Sequence, residues 1–158
     1  DTELSINPQQ DEICNGIDDD CSELLTGFEN IEDGLAFFTN SIGLGTDIST
    51  VYQSHEELTL SDGILSLCGG DAHFQLVANN VDIQGITNGT PVVWNGGNHS
   101  SLLSGNIALY DITLRQNSIQ FENANINIEN LEITDSSIPI NLYQSSLQGS
   151  DVFLMNNT

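Results

Sequence analysis

The chain has 158 residues and a formal net charge of −22, with 23 acidic side chains against a single cation, Arg115. A surface of that sign repels DNA, RNA and anionic lipid, and no apolar run is long enough to cross a bilayer, so nucleic-acid binding and membrane insertion are not expected. With 38% apolar residues the chain can build one cored domain and a small appendage, and its acidity favours calcium, other hard cations or a high-salt medium, or simply keeps a secreted β-protein soluble.

Residues 1–34 are polar, acidic and cysteine-bearing. Cys14 and Cys21 lie close in sequence, so a disulfide between them is expected, which suits an oxidising compartment. The stretch 11–21 (DEICNGIDDDC) resembles the metal-binding Cys-Asn-Gly-x-Asp-Asn-Asp-Cys motif of bacterial surface and secreted proteins. It departs from that pattern afterwards, with Ser22-Glu23 where the family continues Asp-Gly. Three consecutive carboxylates, Asp18, Asp19 and Asp20, repel one another unless a cation or solvent screens them. With Ser22 and Glu29 they have the rhythm of a calcium loop, although Glu23 stands where such a loop wants glycine. Calcium is the cofactor expected here, against a transition metal or a plain acidic turn clamped by a disulfide.

Residues 35–57 read as a connector. Leu35 to Phe38 and then Gly43 to Gly45 suggest a short strand and a turn. From Asp47, a good N-cap, Ile48, Val51, Tyr52, His55 and Leu58 follow helical spacing, which predicts a short amphipathic helix covering the open end of what comes next.

Residues 58–158 carry a repeated phrase at 81–86, 107–112, 126–131 and 147–152, in which apolar residues sit two apart before a corner at Gly85, Asp111, Asn130 or Asp151. The corner recurs after 26, 19 and 21 residues (111−85, 130−111, 151−130), too short for a βαβ unit of roughly 30 residues. Stacked coils at strand spacing fit instead, so the fold class expected is all-β, a right-handed parallel β-helix. Glycine and asparagine pairs supply turns, and the longest interval holds a loop around Asn95 to His99. Cys68, at the end of the apolar strand 65–68, is expected to be a buried free thiol. Asn88, Asn98 and Asn156 match the glycosylation acceptor pattern. Residues 47–158, with the phrases DGILSL, FQL and NNVDIQG and the closing VFLMNNT, resemble secreted parallel β-helix proteins, including pectate-lyase-like folds and adhesin-type outer-membrane repeats. That resemblance implies a fold rather than an activity, since this architecture hosts lyases, hydrolases, adhesins and inert stalks.

Enzymatic readings meet the charge count. A lyase or hydrolase of acidic polysaccharides needs cations to neutralise the uronate, and Arg115 stands alone. No paired-carboxylate motif announces a neutral-sugar hydrolase, and His55, His73 and His99 are scattered. An ice-binding Thr ladder is broken by the column Thr113, Glu132, Phe153. The function expected is therefore a non-catalytic extracellular or cell-surface module, an adhesin, stalk or filament domain stabilised by calcium, whose partners are other copies of itself. The sequence begins at Asp1 without a basic signal segment, as expected of a mature piece, and reaches Thr158 in mid-coil with an open strand edge, where either the natural chain continues or another copy covers the edge. The alternative is a glycan-binding or carbohydrate-active β-helix with glycan contacts at Trp94 and His99.

Overall fold

The structure, a computed structural model, describes residues 36–48, 56–86, 90–96, 100–135 and 140–155. Within them the chain is an all-β solenoid of about five turns, with no helix among the described residues. Its strands are β1 (Ala36–Asn40), β2 (Gly45–Asp47), β3 (Glu57–Cys68), β4 (Gly70–Ala72), β5 (Gln75–Ile86), β6 (Val92–Asn95), β7 (Ser100–Arg115), β8 (Ser118–Thr134), β9 (Ile140–Tyr143) and β10 (Ser146–Met155).

The parallel ladder β3, β5, β7, β8, β10 forms the spine of the stack. The long strands are not straight, because residues with left-handed backbone bend them into successive faces. One column of corners holds Asp62, Asn80, Gly105, Asn123 and Gln144, with φ of 54°, 54°, 74°, 51° and 49°. A second holds Asp111, Asn130 and Asp151, at 53°, 52° and 54°. A third holds Gln116 and Asp135, at 46° and 54°. Face A comprises 57–61, 75–79, 100–104, 118–122 and 140–143; face B comprises 63–68, 81–86, 106–110, 124–129 and 146–150; face C comprises 70–72, 92–95, 112–115, 131–134 and 152–155.

Period-two alternation sends every second residue inward, and register stacks like on like. On face B, Val81, Ile107 and Ile126 follow one another through the coils, as do Leu65, Ile83, Leu109 and Ile128, all between 0% and 3% exposed. On face C, Ala72, Trp94, Leu114 and Ile133 form a column at 0–1% exposed. Each fully buried aliphatic side chain contributes about 2 kcal/mol of transfer free energy, so these columns are the main source of cohesion.

The corner phrase at Asp111, Asn130 and Asp151 matches the sequence expectation, but Gly85 occupies that column for another reason. Its φ is not left-handed; a Cβ there would run into the backbone carbonyl oxygen of Asp111 in the next coil. Glycine at this position permits close approach rather than a turn.

Among the described residues, the strand paired with the free edge of the first coil is β1. β1 runs antiparallel to β3, pairing Ala36 with Leu67 through to Asn40 with Gly63, and β2 folds back on β1. The turn between them is held by the Asn40 side chain, whose Oδ1 accepts from the amides of Ile42 (3.1 Å) and Leu44 (3.0 Å), with Gly43 at φ 82°. Asp47, expected as a helix N-cap, is instead the last residue of β2 and pairs with Phe37, while the Ile48 amide donates to the Ala36 carbonyl. Leu58, expected on the same helix, lies in β3. The rest of that expected helix, 49–55, lies outside the described residues.

Candidate functional site

The repeated phrase also organises the outer surface, because its second and fourth positions point away from the core. On face B the second positions form one column, Asp82, Ala108, Asn127 and Gln148, on β5, β7, β8 and β10. The fourth positions form the neighbouring column of Gln84, Tyr110, Glu129 and Ser150. Ala108, 5% exposed, is much shorter than its neighbours, and the sheet surface sinks over it into a trough of about 380 Å³ lined also by Asn106, Asn125 and Ser146.

Hydrogen bonds order the walls of the trough. The Asn127 amide donates to the Tyr110 hydroxyl at 3.3 Å, Asn125 donates to Asn106 Oδ1 at 3.3 Å, and the Ser146 hydroxyl donates to Asn125 Oδ1 at 3.0 Å. The backbone amide of Asn106 is in turn held by Asn80 Oδ1 at 2.9 Å. A smaller cleft, about 180 Å³, lies where Pro91 meets Asp111, Thr113, Asn130 and Glu132. Both of its carboxylates are engaged: Asp111 accepts from Asn130 at 2.6 Å, and Glu132 from the Thr113 hydroxyl at 3.4 Å.

The other distinctive surface is the outer side of the last coil. In it Leu142, Leu147 and Val152 are 45%, 44% and 42% exposed, although they continue columns whose preceding members, Phe121, Ile126 and Leu131, are 0–3% exposed. Tyr143 and Phe153 add further exposed aromatic area beside them.

Trp94 corrects an expectation. It is 0% exposed, stacks on Phe74 with ring centroids 5.3 Å apart, and donates its indole N–H to the Phe74 carbonyl at 3.0 Å, so no face is left for a sugar. Cys68 corrects another: it is disulfide-bonded rather than a free thiol, to a partner outside the described residues. Cys14, Cys21, the calcium ligands Asp18, Asp19, Asp20, Ser22 and Glu29, the loop residue His99, and the acceptors Asn88, Asn98 and Asn156 all lie outside the described residues. Among the described residues no group of three or more His, Cys, Asp or Glu side chains is arranged to hold a metal ion. Arg115 lies 3.6 Å from Asp71 on face C, 40% exposed, as a surface ion pair. The register places Thr113, Glu132 and Phe153 in one column, so the Thr ladder is interrupted in space as it is in sequence.

The residues lining the trough were not singled out by sequence reasoning, which used the phrase for its inward positions alone. The signal was present in the alternate positions of the same four copies. The fold and these surfaces define the chain as a β-solenoid. No protein-family model matches it, and no curated protein or solved structure is similar enough to serve as a relative.

Proposed function

We propose that this chain is a non-catalytic structural module of the extracellular space or cell surface, which extends by stacking its last coil against another copy. The observation that carries this reading is the exposed end of the apolar columns, Leu142, Leu147 and Val152, beside β10, whose outer edge has no paired strand among the described residues. An unpaired strand edge with apolar side chains beside it is a template for another strand, and a solenoid is cohesive only between neighbouring coils. The disulfide at Cys68 supports an oxidising location. Calcium at the acidic segment 1–34 belongs to this reading on sequence grounds, and calorimetric titration with calcium tests it separately.

Light scattering across a concentration series is the direct test, with electron microscopy of the same samples. The expected result is a mass that rises with concentration for the wild type and stays at the monomer value for Val152→Lys/Phe153→Lys. A wild-type mass that remains monomeric at high concentration, with and without calcium, overturns the reading.

A further inference from the structure

We propose that the trough on the outer side of face B binds a short neutral glycan lying across the strands, parallel to the solenoid axis. Asp82, Ala108, Asn127 and Gln148 stand one above another in register. With parallel strands roughly 4.8 Å apart, the three steps from Asp82 to Gln148 span roughly 14 Å, enough for an oligosaccharide rather than a single ring.

The chemistry of the lining selects the class of ligand. Sugar hydroxyls both donate and accept, and amide side chains do both, while a carboxylate accepts from two hydroxyls at once. Asn106, Asn125, Asn127 and Gln148 supply the first kind of group and Asp82 the second. Tyr110 offers a half-buried ring whose hydroxyl is already oriented by Asn127. Because Asn106, Asn125, Asn127 and Tyr110 are held in advance by hydrogen bonds, binding does not have to order them, which removes part of the usual cost of association. Asp82 and Gln148 make no side-chain hydrogen bond or ion pair among the described residues, so their heads are the groups left to meet a ligand.

Competing ligands fit less well. An anionic glycan would face no cation, since Arg115 is committed to Asp71 on face C and the chain carries −22. A hard metal ion would find one carboxylate among amides and hydroxyls. An extended peptide adds to a sheet edge, whereas here the backbone groups of β7 and β8 are already paired on both sides.

The test is calorimetry with a panel of neutral tri- and tetrasaccharides, with oligouronates as the anionic arm, on the full 158-residue chain. At least one neutral member is expected to bind in the millimolar range or tighter, with oligouronates weaker. Ala108→Ile fills the trough with a good strand former and is expected to weaken binding about tenfold or more, and Asp82→Ala and Gln148→Ala each several-fold, the scale of one or two lost hydrogen bonds. Gln120→Ala on face A is expected to leave affinity unchanged. If Ala108→Ile does not fold, the two exposed-site variants carry the comparison. No neutral binding at millimolar concentration, preference for oligouronates, or undiminished binding in the trough variants overturns the proposal.

Discussion

At the corners, single residues carry two duties that can be separated by mutation. Asn80 adopts φ 54°, a region that costs most side chains about 1–2 kcal/mol, and its side chain also ties three coils together. Its Nδ2 donates to Asp62 Oδ1 in the preceding coil at 2.9 Å, and its Oδ1 accepts from the Asn106 amide in the following one at 2.9 Å. Asn80→Ala loses both the conformational tolerance and the bonds, with an expected destabilisation of about 2–3 kcal/mol; Asn80→Gly keeps the tolerance and should lose about half as much. Urea unfolding of the two variants checks this, and equal losses would mean that the backbone conformation contributes nothing. Most of the described corners were readable as Asn or Asp, but Gln116 and Gln144 were not, because glutamine carries no local signal for left-handed backbone. Gly85 was readable as special, yet only the neighbouring coil reveals that the Asp111 carbonyl is what excludes a side chain.

Among the elements, the inward columns give a graded test of where the core ends. Leu109 is 0% exposed between Ile83 and Ile128, so Leu109→Ala should cost about 3 kcal/mol; Leu147→Ala, at 44% exposed, should cost about 1 kcal/mol in the monomer. If a second copy covers β10, the loss in Leu147→Ala grows with protein concentration, whereas that in Leu109→Ala does not. Alternation made these strands legible from sequence, since period two holds on each side of a corner, with its phase slipping by one residue there, as from Ile107 and Leu109 to Ile112 and Leu114. The hairpin β1–β2 was legible as a strand and turn, but its partner was not: pairing of 36–40 with 63–67 is long-range and antiparallel, and nothing local specifies it. Asp47 itself belongs to the hairpin, where strand pairing with Phe37 outweighs an N-cap preference, while the remainder of the expected helix, 49–55, lies outside the described residues. Cys68 was misread for a related reason, since pairing of cysteines depends on proximity in space. Peptide mapping without reduction should recover Cys68 linked to a peptide containing Cys14 or Cys21, the chain's other cysteines, and a Cys14–Cys21 peptide would contradict it. Closing a loop of 47 or 54 residues (68−21 or 68−14) stabilises by about 4 kcal/mol in the chain-entropy account, so reduction should lower the urea midpoint markedly.

For the whole molecule, the repeat decides both the inside and the outside, and only half of that was taken from the sequence. Copies of one phrase put Ile, Leu and Val on the axis side and, at the alternate positions, Asp82, Ala108, Asn127 and Gln148 on the solvent side; the depression over Ala108 exists because of side-chain sizes in adjacent coils, which no linear window compares. The same molecule-wide view sets the electrostatics of assembly. Two chains of −22 must approach end to end, and with a single arginine per chain, ion pairs between copies cannot offset the repulsion. The attraction available is apolar, from Leu142, Leu147, Val152 and Phe153. At about 0.01 M ionic strength the screening length is about 30 Å and the repulsion acts across much of each molecule; at 0.15 M it is about 8 Å and only facing coils feel it. Scattering mass at fixed protein concentration should therefore rise between these conditions with a monovalent salt alone, and rise further with sulfate, which strengthens apolar burial. Should the mass fall as salt is added, charge pairing would be holding the copies together, and stacking through the apolar end of the solenoid would have to be abandoned.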